Sequence, residues 1–258
     1  MYSLFMKSIS NAIADVEQFH LLFLDQLGRK LDKRHYALKG GCNLRFYLKS
    51  IRYSEDMDID VQLTSVDKLQ DCVDQIIKGA SFARILQSRG MTITYCSSPK
   101  QTATTQRWKL AITSTSSALP LHTKIEFSRR GMSAPVVFEP VDGLIMRDYQ
   151  LTPILASHYP ADVAFRQKVN ALIHRTQTQA RDIFDLDHLL RCGVSTRGMV
   201  LPRPFLMATT GHCCLSCIAV RIVVVSSAYG HRATLSVFRR RLRLSGQASC
   251  ANQQPIDG

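Results

Sequence analysis

The sequence predicts an α+β protein in which a small mixed sheet is flanked by helices, followed by a helical segment and an irregular C-terminal tail. Three observations carry that reading. Residues 4–27 place Leu4, Ile9, Ile13, Val16, Phe19, Leu22, Phe23 and Leu27 at spacings that, apart from the adjacent pair Leu22 and Phe23, run from three to five, the repeat of an amphipathic helix, with Gly28 as its stop. DMDIDVQL alternates acids with Met57, Ile59 and Val61, as a strand with one buried face does. Residues 161–190 return to a helical pattern through Val163, Phe165, Val169, Leu172, Ile183, Leu186 and Leu189.

Between these segments the elements follow in order. HYALKGG reads as a short strand entering a glycine turn, NLRFYLKS as a helix, and DMDIDVQL as the strand that follows. A helix over about 66–89 precedes three strands, MTITYCS, RWKLAITST and HTKIEFS, the last two joined as a hairpin. Helices are expected to cover one side of this sheet. The domain reading is a core over 1–150, a helical segment over 151–191 and an atypical tail over 192–258.

The chain has 258 residues, 45% apolar content and a formal charge of +13. Such basicity suggests an anionic partner, a nucleotide or RNA. The charge is unevenly placed, however: the last 67 residues hold eight arginines, no lysine, no glutamate and one acid, Asp257. About half of the excess charge therefore belongs to the tail. That segment also carries five of the eight cysteines, and its composition fits a frame-shifted translation. A zinc site in HCCLSC (His212, Cys213, Cys214, Cys217) and an Arg-rich RNA-binding arm are the alternatives. Lys7, Asp15 and Glu17 interrupt the N-terminal apolar residues, and Arg221 interrupts the longest apolar run, which excludes a signal peptide and a membrane span. A cytoplasmic protein with reduced thiols is expected.

Chemistry enters with Asp56, Asp58 and Asp60, which share one strand face and repel one another unless a cation intervenes. Mg²⁺ or Mn²⁺ suits two carboxylates plus substrate phosphates; harmless acids on a solvent-facing edge strand are the other reading. Gly40 and Gly41, just ahead of a helix, allow backbone N–H groups to approach a phosphate. Phosphate cradle and metal strand together describe nucleotidyl transfer, in which metal ions align the attacking hydroxyl with the α-phosphate. A third carboxylate is then needed, and Glu126 on a neighbouring strand is the candidate, with Asp60 competing. The alternative for Glu126 is an ion pair with Lys124 or Arg129. Farther along, an unbroken helix through Thr176 and Thr178 puts Lys168, Leu172, Arg175 and Asp182 on one stripe, a basic pair aimed at triphosphate with Asp182 orienting one member. A plain solvated face is again the alternative.

These residues resemble the AbiEii/AbiGii-type nucleotidyltransferase toxins, which have a polymerase-β-like fold. The family's strand ending K-G-G, Leu-Arg helix and S-E-D-x-D strand appear here as KGGCNLRFYLKSIRYSEDMDIDV, and its later Lys, Arg and D-x-x-D-L motif as KVNALIHRTQTQARDIFDL. The likeness covers about residues 17–190, with little signal between 65 and 160. It implies metal binding by Asp56 and Asp58, an essential Lys168 and Asp182, and nucleotide binding by Gly40, Gly41, Arg45, Lys168 and Arg175. It also implies NTP as substrate, an antitoxin as partner and, as in some members, tRNA as acceptor. Cys42 and Asn43 depart from the small residues common at their positions, and the chain enters its tail where further helices are usual. An inactive remnant and an antibiotic-modifying nucleotidyltransferase are the rival readings.

Overall fold

The computed structural model describes residues 2–132, 134–174 and 179–195, with side chains from Ala12, and two strands farther along. The chain divides into a unit over 1–195 and another over 196–258. In the second unit β8 (Ile222–Ser226) and β9 (Ala233–Val237) pair antiparallel. The HCCLSC cluster and the rest of the tail lie outside the described residues, as does Arg175.

The first unit opens with α1 (Tyr2–Lys30), which runs past Gly28. Leu31 N–H closes its final turn on the Leu27 carbonyl, and Arg29 and Lys30 sit at the negative end of the helix dipole. One glycine costs a helix about 1 kcal/mol, less than is gained by burying Phe23, Leu24 and Leu27 on the sheet. Then follow β1 (Tyr36–Lys39), α2 (Gly40–Phe46), β2 (Asp56–Val61), α3 (Val66–Ile77) and α4 (Ala80–Gln87). The helix expected over 66–89 is thus two, separated at Lys78 and Gly79, with Ser65 capping the first through Lys68 N–H.

A meander, β3 (Met91–Gln101), β4 (Thr105–Ser114) and β5 (Ser117–Ser128), includes the expected hairpin. The short elements β6 (Val137–Pro140), α5 (Gly143–Asp148) and β7 (Leu155–His158) come next, then α6 (Ala161–Ile173) and α7 (Ala180–Arg191). The seven strands form one mixed sheet in the order β3-β4-β5-β2-β1-β7-β6. β2 lies in its middle, antiparallel to β1 and parallel to β5.

One sheet face carries the main core, where Leu38, Met57, Ile59, Trp108, Ile125 and Phe127 meet Phe19, Phe23, Val73 and Phe82 of the helices. Trp108 Nε1–H donates to Asp74 Oδ1 at 2.8 Å, anchoring α3 to β4. Helices do not keep to that side alone. Ala37, pointing the opposite way from its strand neighbours, packs with Tyr159 and Val163, so α6 covers the other face at β1. Among the described residues no helix is long and apolar enough to cross a membrane, and Cys42, Cys72, Cys96 and Cys192 are free thiols.

Candidate active site

Strand alternation sends Met57, Ile59 and Val61 into the core, at 0%, 0% and 1% exposure, and therefore turns Asp56, Asp58 and Asp60 to the opposite face. The registers decide what they meet. Asp58 lies opposite Lys39 of β1 and Glu126 of β5, and Asp56 lies opposite Lys124. Asp56, Asp58 and Glu126 thus come together from two parallel strands. Lys124 Nζ is 3.2 Å from Asp56 Oδ2 and 3.9 Å from Glu126 Oε2. Arg107 Nε donates to Glu126 Oε2 at 2.6 Å. The ion pair expected as the alternative for Glu126 is therefore present together with the carboxylate cluster, whereas Arg129 turns instead to the Thr64 carbonyl and Gln106 Oε1.

Asp60, the competitor for the third position, is engaged by protein partners. Lys39 Nζ approaches its Oδ1 at 2.5 Å and the Tyr159 hydroxyl donates to its Oδ2 at 2.7 Å, which ties β2 to the chain leading into α6. Asp58 differs: its carboxylate has no hydrogen-bond or ion-pair partner among the described residues. Burial pushes its carboxyl above the ordinary range, Lys124 and Lys39 pull it back, and Glu126 and Asp56 push it further.

The glycine pair has a steric reason. Gly40 has φ +67°, and a Cβ there would lie 2.8 Å from Asp58 Oδ2, so the missing side chain is what lets the turn pass beside Asp58. A Cβ on Gly41 would meet Ser54 Oγ at 2.4 Å and Arg52 Nη2 at 3.1 Å. α2 is only seven residues long. Its departures from the family pattern are packed as well: Asn43 Nδ2 donates to the Tyr159 carbonyl at 2.9 Å, and Cys42 is buried against His20.

The second constellation differs from its expected form. α6 ends at Ile173 and α7 begins at Ala180, so Lys168 and Asp182 do not share one helical stripe. Asp182 is the N3 residue of a capping box with Gln179, accepting the Gln179 N–H at 3.2 Å. The partner of Lys168 is Asp185, whose Oδ2 accepts from Lys168 Nζ at 2.6 Å. Arg52 binds the same carboxylate at 2.8 and 2.9 Å through Nε and Nη2. Burial alone would raise the Asp185 carboxyl; the Arg52 and Lys168 cations hold it below the usual range. Through Arg52 this pair reaches Gly41.

Arg45, expected at the nucleotide, has protein partners in this structure. Its guanidinium is bidentate to Glu17 at 2.9 and 3.2 Å, donates to the Ser50 carbonyl and stacks over Tyr53 at 4.5 Å. Glu17 is 1% exposed, so Arg45 fastens α2 to α1. Arg45→Ala strands a buried carboxylate, and its expected cost is about 3 kcal/mol in urea unfolding with no change in nucleotide KM.

The model of the AbiEii nucleotidyl transferase toxin family, of type IV toxin–antitoxin systems, matches residues 22–206. The chain belongs to that family. No curated protein sequence matches it. Among solved structures, the AbiEii-family chain resembles an H. pylori candidate nucleotidyltransferase at 20% identity and a TM-score of 0.50, covering 68% of this chain and 67% of that one. It also resembles JHP933 from Helicobacter pylori at 19% identity and a TM-score of 0.48, covering 69% and 66%. The former likeness shows a shared fold, and the chain spans about two thirds of the length of both proteins.

Behind the acids of this AbiEii-family site lies a buried polar relay. His20, fully buried, contacts Thr123 Oγ1 at 2.7 Å, and Thr123 donates to the Glu55 carbonyl at 2.7 Å, so His20 Nε2 carries the hydrogen. Its Nδ1 faces Cys42 Sγ at 3.7 Å, and Cys42 also lies 3.3 Å from the Asp56 carbonyl. The relay holds the backbone on which Asp56 stands. Burial lowers the His20 pKa to about 3. Above pH 6.5 both folded and unfolded forms keep it neutral. Below that the unfolded chain takes up a proton the folded one refuses, so its contribution to stability is lost by up to about 1.4 kcal/mol per pH unit until pH nears 3. Urea midpoints measured across this window should fall more steeply for wild type than for His20→Gln.

Proposed function

We propose that this chain transfers a nucleotidyl group from an NTP to an acceptor hydroxyl as the toxin of a type IV pair whose antitoxin is its partner. The observation that carries the reading is the meeting of Asp56, Asp58 and Glu126 on one sheet face beside Gly40. Asp56 and Asp58 would hold Mg²⁺ or Mn²⁺. The fit rests on Asp58, a desolvated carboxylate with no direct partner among the described residues, in a gap that any Cβ at position 40 would fill. An ion held by these two carboxylates would be completed by substrate phosphates; among the described residues no three His, Cys, Asp or Glu side chains form a cage. When bound, the ion supplies charge neutralisation at the phosphates.

The protein's own residues do the rest. Lys168, steadied by Asp185, contributes positive charge toward the triphosphate. The acceptor oxygen bonds to the α-phosphorus as the bond to the pyrophosphate oxygen breaks. Glu126 receives the hydroxyl proton, and pyrophosphate leaves. Lys100, Arg107 and Lys109 continue the same face from Lys124 toward the β3 edge, a basic track that supports RNA, tRNA among the choices, as acceptor.

Purified protein incubated with each labelled NTP, Mg²⁺ and total tRNA should yield label in the RNA fraction, and Asp56→Ala should yield none. Label confined to small molecules would favour the antibiotic-modifying chemistry. Equal label from wild type and Asp56→Ala would end the proposal.

A further inference from the structure

Beside the acids of the candidate site stands a cation that nucleotidyl transfer does not explain. Lys124 follows from the strand repeat: it shares the face of Glu126, and the parallel register sets it beside Asp56. Its ammonium lies 3.2 Å from Asp56 and 3.9 Å from Glu126. Lys124 is also the foremost positive influence on Asp58. A group that touches one carboxylate, flanks a second and acts on a third stands where a divalent ion shared by these acids would be held. Arg107 is directed to Glu126 alone and Lys39 to Asp60.

We propose that Lys124 is a resident counter-ion that occupies the divalent-cation position of the nucleotide-free protein, so that metal loads together with the triphosphate and not before it. The inference rests on the nucleotidyl transfer reading. An ammonium and a divalent ion repel at such range, and both cannot neutralise Asp56. Lysine's flexible four-carbon stem allows its charge to leave without disturbing the strand. A triphosphate supplies the alternative partner: its oxygens take the ammonium as the ion takes Asp56. Free Mg²⁺ at an empty site would otherwise hold the acids in a charged state with no substrate to act on.

The experiment is Mn²⁺ titration followed by electron paramagnetic resonance, on wild type, Lys124→Met, Lys124→Arg and the double variant Asp56→Asn/Lys124→Met, with and without a non-hydrolysable NTP analogue. Thermal melts confirm that each variant is folded. In the absence of nucleotide, Lys124→Met should bind Mn²⁺ at least ten-fold more tightly than wild type, Lys124→Arg should match wild type, and the double variant should lose the gain. With the analogue, wild type should bind Mn²⁺ at least ten-fold more tightly than without it. If wild type binds Mn²⁺ with the analogue but Lys124→Met alone shows no gain, the counter-ion idea fails and the transferase reading stands. If no variant binds Mn²⁺ even with the analogue, both fail.

Discussion

Asp58→Asn removes nucleotidyl transfer, by roughly 10³-fold or more, and leaves a protein at least as stable as wild type. The rate loss follows from deleting one of the two carboxylates that would neutralise the ion at the phosphates, a contribution of several kcal/mol. The stability result follows from the surroundings. Asp58 is desolvated, faces Asp56 and Glu126, and is only partly relieved by Lys124 and Lys39. A carboxylate whose folded pKa is raised costs stability once pH exceeds its unfolded value, and the neutral amide removes that cost. Opposite signs in activity and stability distinguish a functional acid from a structural one. Labelled NTP transfer and urea unfolding at pH 7 measure the two; transfer within ten-fold of wild type would refute the role given to Asp58.

The second large effect is structural in origin. Asp185→Ala should cost about 3–5 kcal/mol, because its fully buried carboxylate neutralises both Arg52 and Lys168 and its loss leaves two partly buried cations facing each other. For a chain of this size the melting temperature should drop by about 10 °C. Transfer should fall as well, since Lys168 loses the partner that fixes it. Asp182→Ala removes the acidic half of a capping box, a contribution of about 1 kcal/mol. A calorimetric comparison of the two variants tests the assignment, and the reverse order of effects would return the central role to Asp182.

The contrast between these aspartates shows what the sequence makes legible. Along β2 a period of two is enough to separate Asp56 and Asp58 from Met57 and Ile59, since a strand has only two faces. Glu126 is readable as a strand-face acid, but its position opposite Asp58 depends on a parallel register between strands far apart in the chain. Asp185 escapes because the helical wheel assumes one continuous helix, whereas the helix stops after Ile173 and restarts at Ala180. The signal for that restart is local: Gln179 followed three residues later by Asp182 has the spacing of a capping box. Its other partner, Arg52, is 133 residues away in a loop, where no periodicity can find it. Arg45 misleads for a similar reason, because only packing reveals that the buried acid of α1 claims it. The four-residue strands β6 and β7 are too short to show a repeat.

The parallel pairing of β2 with β5 also governs the order in which the candidate pocket can assemble. A nascent chain that has released its first acids still lacks Glu126, which is separated from Asp58 by α3, α4, β3 and β4, and later Asp185, which must return to Arg52. Such distant closures form slowly and late. The candidate pocket therefore becomes whole only once Asp185, near the end of the first unit, has joined Arg52, and every shorter stretch of chain carries an incomplete set of its acids.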